Sequence, residues 1–513
     1  MGAYLYYDVK GIQSFIFKIP RLKFIVGGSA LIDEFDKETV RSLGVADASL
    51  LFSGGGRGAF FCGTDHAAKE LKEKIKKKAW EIGLDIQFGL SKDFSWAIEH
   101  ADELYSFIPD MPDNGVPCPE SGLYPVELKK FATDEESCHP VIKKRRYKSG
   151  EKVFRRFEDT LLKGVTLLGK SGDTLEFFHN VKSDEPKGKA GAAALGNRNR
   201  WAVICMDGND IGKQFRTLLN SNLPPEKTQA GIQTMSRILA EITSEAAFQG
   251  VQRVVAEWAA DEGKKAVIED EKLILPIRPL LVGGDDIIVL CHCAFAATFV
   301  KEVMMVFEEQ SLIHKDIWPA TQNGLSISAG ILYTSVTLPL HTAIPYAEAL
   351  LENAKDLGRE KVKVGKAPPA CIDWEQITET VIDTPVAKRQ RELIFFDEEI
   401  SCRVKLTQRP YTVAEFTKVE QLAKDYGRGR NQKLPRTLRH QILPALRKGQ
   451  AERLAFAARV KKNHPHLSDI LNELDIKKRG WRMDAGKNEQ SIGLVDALML
   501  LEEDTRMEKE TVK

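Results

Sequence analysis

The chain has 513 residues, of which 43% are hydrophobic and 29% are charged. Because a single hydrophobic core rarely grows beyond about 250 residues, this length predicts several globular units and excludes one small fold. Lys and Arg number 74 and Asp and Glu 73, so the net charge of +1 excludes global electrostatic steering toward nucleic acid or membrane. With dispersed cysteines, no signal peptide and no apolar run of membrane-spanning length, we expect a cytoplasmic protein without membrane contact.

The first hundred residues alternate between strand and helix patterns. The aromatic run at residues 4–7 predicts a strand that ends at Asp8, and a helical pattern follows Gly11. The glycines at residues 27–29 (GGS) predict a break in the chain's regular structure. Two apolar runs flank residues 53–57 (SGGGR), which predicts a hairpin with a glycine turn.

The same order of elements returns about two hundred residues later. An apolar strand over residues 201–206 ends at Asp207, and a helix follows. A second hairpin is predicted around residues 283–286 (GGDD). Gly56 and Arg57 of the first hairpin stand where Asp285 and Asp286 stand in the second. The sequence therefore predicts two related α/β units, of which only the second carries paired acids in its turn.

Three acidic side chains of the second unit are predicted to converge. Asp207 ends one strand, while Asp285 and Asp286 lie in a turn between two others, and neighbouring strands are about 5 Å apart. If these strands are adjacent, the carboxylates suit two-metal nucleotidyl transfer. Gly283 and Gly284 lack the Cβ that would keep a phosphate from the backbone. An ordinary hairpin turn explains the GGDD motif equally well, since Gly and Asp are common turn residues.

A later strand and helix supply a candidate cation for phosphate. Residues 325–331 predict a strand, and residues 345–357 predict a helix with Lys355 beside its apolar stripe. By position alone, Lys355 fits a solvated lysine better. Beside a metal site, it would serve as a charge for the γ-phosphate.

Together, these motifs resemble the large subunit of type III CRISPR effector complexes. The resemblance covers roughly residues 1–100 and 200–366, and it rests on DVKGIQSFIF at residues 8–17, the SGGG and GGDD turns, DGNDIG at residues 207–212 and the segment that ends at Lys355. Members of that family carry two palm domains and polymerise ATP into cyclic oligoadenylates when the complex binds target RNA. The resemblance implies a nucleotidyltransferase that uses Mg²⁺ or Mn²⁺ and takes ATP as substrate. It also implies guide RNA and target RNA as partners through other effector subunits.

The resemblance further implies roles for individual residues. Asp207, Asp285 and Asp286 would be catalytic and metal-binding, and Lys355 would contact the triphosphate. The remaining nucleotide-binding residues are expected in three loops: Gly283 and Gly284; Gly208, Asn209 and Asp210; and Ser53, Gly54, Gly55 and Gly56, which would hold the second nucleotide. The two palms would face each other within the chain or pair in a dimer.

The predicted fold class is α+β, with two ferredoxin-like palm domains in pseudo-repeat, an inserted small subdomain and a C-terminal helical bundle. The expected domains are residues 1–110 (first palm, degenerate), 111–196 (inserted subdomain and linker), 197–370 (second palm, catalytic) and 371–513 (helical, with a basic face).

The basic face lies between residues 403 and 462, where about sixteen Lys or Arg stand against four acids. It includes Arg428, Arg430, Lys433, Arg436 and Arg439. Contact with an RNA backbone and an ordinary solvated helix surface explain this density equally well, since no aromatic residues are interleaved.

Three features depart from the family's pattern. Asn209 replaces a usual acid, which leaves the second metal or the register of that loop open. No His-Asp dipeptide precedes the first palm, so we expect neither the nuclease domain nor DNA cleavage by that route. Of the family's zinc ribbon, Cys118, Cys138 and His139 remain but Ser121 replaces a thiolate, so we expect no zinc, because a structural site needs four ligands.

Two other functions fit parts of the sequence. A stand-alone synthase of the diguanylate-cyclase type shares the Gly-Gly-acid hairpin, although the degenerate first unit argues against it. A catalytically silent, RNA-binding scaffold subunit of a CRISPR complex fits the basic region and Asn209.

Overall fold

The computed structural model of the protein describes residues 2–19, 22–109, 115–118, 121, 124–126, 139–148, 166–167, 170–171, 175–178, 200–221, 223–262, 268–269, 272–321, 323–363, 366–378, 383–398, 401–428, 434–465, 481–484 and 489–503. Helices and several separate sheets follow one another through these ranges, so the fold is α+β, as predicted. No helix within them is both long and apolar enough to cross a bilayer.

The N-terminal unit is built on a five-stranded sheet with the order β2-β3-β1-β4-β5. Its strands are β1 (Ala3–Lys10), β2 (Ala48–Gly54), β3 (Arg57–Cys62), β4 (Asp85–Ser91) and β5 (Glu103–Tyr105). Its helices are α1 (Ile12–Phe17), α2 (Leu22–Glu34), which a π-helical turn (Phe35–Thr39) extends, α3 (Asp65–Glu81) and α4 (Phe94–Glu99). The Thr64 side chain caps α3 by accepting from the Ala67 N–H, and Leu71, Ile75 and Ala79 of α3 are buried at helical spacing.

The intervening segment contributes short elements. They are β6 (Val116–Pro117), β7 (Pro125–Val126), α5 (Pro140–Lys148), β8 (Thr166–Leu167), β9 (Lys170–Ser171) and β10 (Leu175–Phe177). Helix α5 packs on α2.

This packing corrects the predicted break at residues 27–29, because α2 runs through them as helix. A Cβ at Gly27 would lie 1.9 Å from the carbonyl oxygen of Arg145. The glycine therefore lets two helices approach closely and does not interrupt either of them.

The second unit is built on a six-stranded sheet with the order β14-β15-β11-β16-β17-β20, whose last strand, β20 (Tyr411–Thr412), comes from the C-terminal region. Its elements, with a short outer hairpin, are β11 (Arg200–Gly208), α6 (Ile211–Leu219), α7 (Pro225–Glu262), β12 (Ile268–Glu269), β13 (Lys272–Leu275), β14 (Ile277–Gly283), β15 (Asp286–Cys291), a 3-10 turn (Cys293–Phe295), α8 (Ala296–Ile313), a second 3-10 turn (Lys315–Ile317), β16 (Ile327–Ser335), α9 (Leu340–Glu360) and β17 (Cys371–Gln376). Strand β13 pairs with β10, so the intervening segment adds a strand beside this unit.

The two sheets repeat each other in strand order and register. In the first, β1 lies between the hairpin strand β3 and β4, and in the second, β11 lies between the hairpin strand β15 and β16. Asp8 pairs with Arg57 across β1 and β3, whereas Asp207 pairs with Asp286 across β11 and β15. The pseudo-repeat therefore aligns residue by residue at the hairpin turns.

A shared core joins the two units. One buried cluster contains Leu5 and Phe60 of the first sheet together with Val203, Leu290 and Leu332 of the second. The first and second sheets are consequently fixed to each other through apolar packing.

The C-terminal region contains the predicted helices and, in addition, short strands. Its elements are α10 (Pro385–Leu393), β18 (Ile394–Asp397), β19 (Cys402–Lys405), β20 (Tyr411–Thr412), α11 (Val413–Arg428), α12 (Arg436–Leu446), α13 (Gln450–Asn463), β21 (Trp481–Asp484), β22 (Glu489–Ile492) and α14 (Leu494–Glu503). Strand β17 pairs in parallel with β16, so the second sheet continues past residue 370, where the domain boundary was predicted. Strands of four residues or fewer carry too little alternation to be recognised in the sequence.

Candidate active site

The three predicted acids lie together at one end of the second sheet. Asp207 is opposite Asp286 on neighbouring strands, and the side chains of Asp207 and Asp285 are hydrogen-bonded to each other. The adjacency of β11 and β15, on which the predicted convergence depended, is therefore present in the structure.

We define the acid cluster as Asp207, Asp285 and Asp286. Burial and the neighbouring carboxylates raise the pKa values of Asp285 and Asp286. Burial raises the pKa of Asp285 well above its ordinary value, and the charges of Asp207 and Asp286 raise it further. Burial and then Asp207 raise the pKa of Asp286 to about 7. A divalent cation would reverse this preference, because it stabilises the ionised carboxylates.

Lys355 neutralises part of the cluster. It projects from α9, its side chain is 12% exposed, and its ammonium group donates to the Asp207 carboxylate. It also donates to the Gly208 carbonyl at 3.1 Å. Lys355 is therefore a buried partner of the acid cluster and not a solvated lysine.

The GGDD turn has open space beside its two glycines and is fixed by a hydrogen bond from α7. A Cβ at Gly283 or Gly284 would meet nothing within 4 Å, and Gly284 has a φ of +63°. The hydroxyl of Thr243, on α7, lies 2.7 Å from the Gly284 carbonyl oxygen. Gly208 is also needed, since a Cβ there would lie 2.5 Å from Ile211 and 3.1 Å from the Cβ of Asp285.

Asn209 and Asp210 shape the loop after β11. Asn209 is buried, its N–H donates to the Ser326 carbonyl at 2.9 Å, and its amide group donates to the Ser326 hydroxyl at 2.8 Å. Asp210 has a φ of +57° and begins α6 as its N-cap. Asn209 thus ties the loop to the start of β16 and leaves the acid cluster without a carboxylate from that position.

The first sheet has a glycine turn at the corresponding place. Gly55 and Gly56 have positive φ values of +64° and +76°. The Gly56 N–H donates to the Asp36 carboxylate at 2.6 Å, and the Ser53 hydroxyl donates to the Asp36 carbonyl at 2.8 Å. Gly54, which a Cβ would not crowd, completes this turn. The predicted second-nucleotide loop is therefore anchored by a buried acid.

Asp36 and Glu348 are site residues that the sequence did not single out. Burial raises the pKa of Asp36 to about 7, while the Gly56 N–H lowers it in part. Burial also raises the pKa of Glu348 to about 7, and the charge of Glu348 raises that of Asp286. Glu348 lies seven residues before Lys355, which is two helical turns and hence the same face of α9. That spacing could have revealed Glu348, whereas Asp36 depends on a tertiary contact that no local pattern encodes.

The donor chemistry of the cluster suits a hard divalent cation, because Mg²⁺ and Mn²⁺ prefer carboxylate oxygens. In the part of the chain that the structure describes, no set of three or more His, Cys, Asp or Glu side chains already has the arrangement of a metal site. The Asp207 carboxylate is bonded to Lys355 instead. Of the zinc-ribbon remnants, Cys118 and His139 are buried, while Cys138 lies outside the described residues.

The predicted basic face is only partly open to a partner. Arg439 is buried, and its guanidinium donates to the Leu434 carbonyl at 3.1 Å. Arg453 is fully buried and paired with Asp397. Arg430 and Lys433, and the side chains of Arg428 and Arg436, lie outside what the structure describes. Some arginines that suggested RNA contact therefore stabilise the fold.

Comparison with known proteins bears on both the second unit and the whole fold. Residues 200–363 match the family model of the second palm domain of Cas10/Cmr2. This unit is a Cas10/Cmr2 second palm domain. No curated protein sequence matches the chain. We refer below to the units on the first and second sheets as the first palm and the second palm.

Solved structures agree in fold along nearly the whole chain. Csm1 from T. onnurineus superposes with a TM-score of 0.54 at 16% identity, covering 98% of this chain and 69% of that one. An apo Csm1–Csm4 cassette gives a TM-score of 0.50 at 16% identity, with coverages of 98% and 70%. A Csm1–Csm4 cassette in complex with cA3 gives 0.49 at 13% identity, with coverages of 98% and 69%. Together with the family match of the second palm, the first two superpositions show a Cas10-like palm fold.

Proposed function

We propose that the protein is a nucleotidyltransferase that joins ATP through 3′–5′ linkages into cyclic oligoadenylates within a type III CRISPR complex. The observation that carries the proposal is the convergence of Asp207, Asp285 and Asp286 at one end of a Cas10/Cmr2 second palm. Clustered carboxylates with raised pKa values are typical of functional sites, since such an arrangement costs stability.

Asp207, Asp285 and Asp286 would hold the divalent cations, Mg²⁺ or Mn²⁺, in this mechanism. When bound, the cations would lower the pKa of the attacking hydroxyl and neutralise charge on the triphosphate. Lys355, released from Asp207, would bind phosphate oxygens, and the open Gly283-Gly284 backbone would leave room for them. The 3′-hydroxyl of one nucleotide would then attack the α-phosphorus of the next, which forms the new P–O bond and expels pyrophosphate.

The first palm would hold the second nucleotide. Its turn over Ser53, Gly54, Gly55 and Gly56 matches the GGDD turn in strand register, and the two palms share a core. We therefore propose that the palms act as a pair within one chain. We also propose that the chain has the predicted domains, with the second palm extended through β17. Finally, we propose that the protein assembles with further effector subunits that hold guide RNA and target RNA.

A catalytically silent scaffold is the second candidate. The ion pair between Lys355 and Asp207, and the Asn209 amide in place of an acid, favour it. In that case the second palm would serve packing alone, and the chain would not bind nucleotide in a cation-dependent manner.

Mass spectrometry of reaction products distinguishes the two candidates. The full chain, with its guide complex and target RNA, is incubated with Mg²⁺ and each nucleoside triphosphate. We expect oligoadenylates from ATP, none from an Asp285→Ala/Asp286→Ala variant, and unchanged product from Asp356→Ala, an exposed acid beside Lys355. No product from any triphosphate with the wild-type complex would exclude the synthase, and product from GTP alone would favour a diguanylate-type enzyme.

A further inference from the structure

Arg57 occupies the position in the first palm that Asp286 occupies in the second. Each pairs with the acid that ends the central strand, Asp8 in one case and Asp207 in the other. Each also closes its hairpin turn, since Arg57 pairs with Gly54 and Asp286 with Gly283. At this one position, the first palm therefore has a cation where the second palm has an anion.

Asp8 does not need Arg57 for neutralisation. The Arg57 guanidinium lies 3.2 Å from the Asp8 carboxylate, and the Lys10 ammonium lies 2.5 Å from it. Asp8 is 12% exposed, whereas the Arg57 side chain is 64% exposed. Arg57 can consequently move away from Asp8 without leaving a buried charge unpaired, because Lys10 remains the partner of Asp8.

Arg57 also lies within electrostatic range of the acid cluster in the other palm. Helix α7 contacts β2, the strand that leads into the Arg57 turn, and the same helix carries Thr243, which holds the Gly284 carbonyl. Partial burial lowers the pKa of Arg57. The charges of Asp8 and, more weakly, Asp285 raise it, and on balance the pKa of Arg57 is raised. In return, Arg57 is one of the charges that lower the pKa of Asp286.

We propose that Arg57 is a nucleotide-binding residue that reaches from the first palm to the phosphates of the nucleotide at the GGDD turn of the second. This assignment rests on the proposed function and names one contact of that site. Once cations neutralise Asp285 and Asp286, the phosphate oxygens become the strongest anionic partner near Arg57. A guanidinium matches two phosphate oxygens with two parallel hydrogen bonds, which an ammonium cannot do.

Binding of α,β-methylene ATP with Mg²⁺, measured by calorimetry on the full chain, tests the assignment without turnover. Arg57→Ala should weaken binding about tenfold or more, as expected for loss of a charge-assisted contact. Arg57→Lys keeps a cation beside Asp8 and should fall between Arg57→Ala and wild type. Lys78→Ala is the matched control, because Lys78 is a partly exposed cation of the first palm that pairs with Glu81 and not with Asp8. Its affinity should stay within about twofold of wild type.

Equal affinities in Arg57→Ala and Lys78→Ala would overturn the proposal and limit Arg57 to neutralising Asp8. Should Arg57→Ala fail to fold, Arg57→Lys decides alone, since wild-type affinity in that variant contradicts a bidentate contact. In the product assay, the KM for ATP should rise in Arg57→Ala more than kcat falls. A wild-type chain that binds the analogue but makes no oligoadenylate would refute the proposed function, while the binding comparison would still decide the role of Arg57.

Discussion

The two palms have the same strand order and hairpin register but opposite electrostatics. In the first, Asp8 is paired with Arg57 and Lys10, so the position is neutralised by two cations. In the second, Asp207 stands with Asp285 and Asp286, and Lys355 is the cation bonded to it. The strand framework positions the hairpin turn in both palms, while the two residues that follow the first two glycines set the charge of that turn.

The second palm retains its charge at a cost to stability. Burial and repulsion raise the pKa values of Asp285 and Asp286, so the ionised cluster is destabilising when no cation is bound. In the first palm's turn, by contrast, the Gly56 N–H donates to Asp36, and the Ser53 hydroxyl is hydrogen-bonded to the Tyr7 hydroxyl. The hairpin turn costs stability in the second palm, whereas its counterpart in the first palm is neutralised. This difference is consistent with chemistry confined to the second palm, because a destabilising arrangement is typical of a functional site.

Replacing Lys355 in the second palm should have a larger effect than any single substitution in the first palm. Lys355→Ala removes the cation bonded to Asp207 and the proposed triphosphate contact, so product formation should fall roughly a hundredfold. Lys361→Ala is the control, because Lys361 follows the same helix and pairs with Glu415 away from the cluster. Rates are measured from oligoadenylate yield, and a loss of less than about threefold in Lys355→Ala would contradict the role given to Lys355.

Changing Asp36 tests whether the first palm's turn contributes to activity. Asp36→Ala leaves the buried Gly56 N–H without its acceptor, which costs about 1–3 kcal/mol, while the Tyr7 hydroxyl keeps its hydrogen bond with Ser53. Product formation should fall about tenfold as the turn shifts, a smaller loss than for Lys355→Ala. Asp36→Asn keeps an acceptor oxygen for Gly56 and should retain more activity. If the two variants were equally active, the Gly56 hydrogen bond would not position the turn.

The acid cluster should also govern stability against pH, with a smaller effect. The pKa of Asp286 is raised to about 7 from an unfolded value of 3.8, so the folded state binds the additional proton. Stability contributed at this site is therefore present below about pH 4 and is lost as the pH rises toward 7. Asp286→Asn should raise the unfolding temperature at pH 8 by about 1 °C for each kcal/mol recovered, and by little at pH 4.5.

Thermal unfolding at both pH values, without divalent cations, is the measurement for Asp286→Asn. Asp356→Asn, at an exposed position, serves as the control and should show no such pH dependence. An unfolding temperature in Asp286→Asn that falls at pH 8 would show that the cluster stabilises the chain, contrary to this account.

Much of the site could be predicted because its residues end strands. Asp207 follows a continuous apolar run, and the GGDD turn separates two others, so strand adjacency alone brought the acids together. Asp36 could not be predicted, since it lies on a π-helical turn and meets Gly56 only in the folded chain. Gly27 was misinterpreted because a glycine that admits a neighbouring helix resembles one that ends a helix.

Buried charge explains why β17 was missed. Asp373 and Glu375 interrupt its apolar pattern, yet both are buried and paired with Arg389, at 2.8 and 3.1 Å respectively. Arg409 adds a second cation to Glu375 at 3.4 Å. Charged residues are rarely buried without partners, and the partners here come from positions further along the chain, so the local sequence did not indicate a buried strand.

Cation binding tests the contrast between the palms most directly. Mn²⁺ is titrated into the full chain with α,β-methylene ATP and followed by electron paramagnetic resonance, in wild type, Asp285→Ala/Asp286→Ala and Asp8→Ala. We predict that Mn²⁺ binding is lost in the double variant and retained in Asp8→Ala, because Asp8 belongs to the neutralised palm. Loss of binding in Asp8→Ala with binding intact in the double variant would contradict the assignment of the chemistry to the second palm.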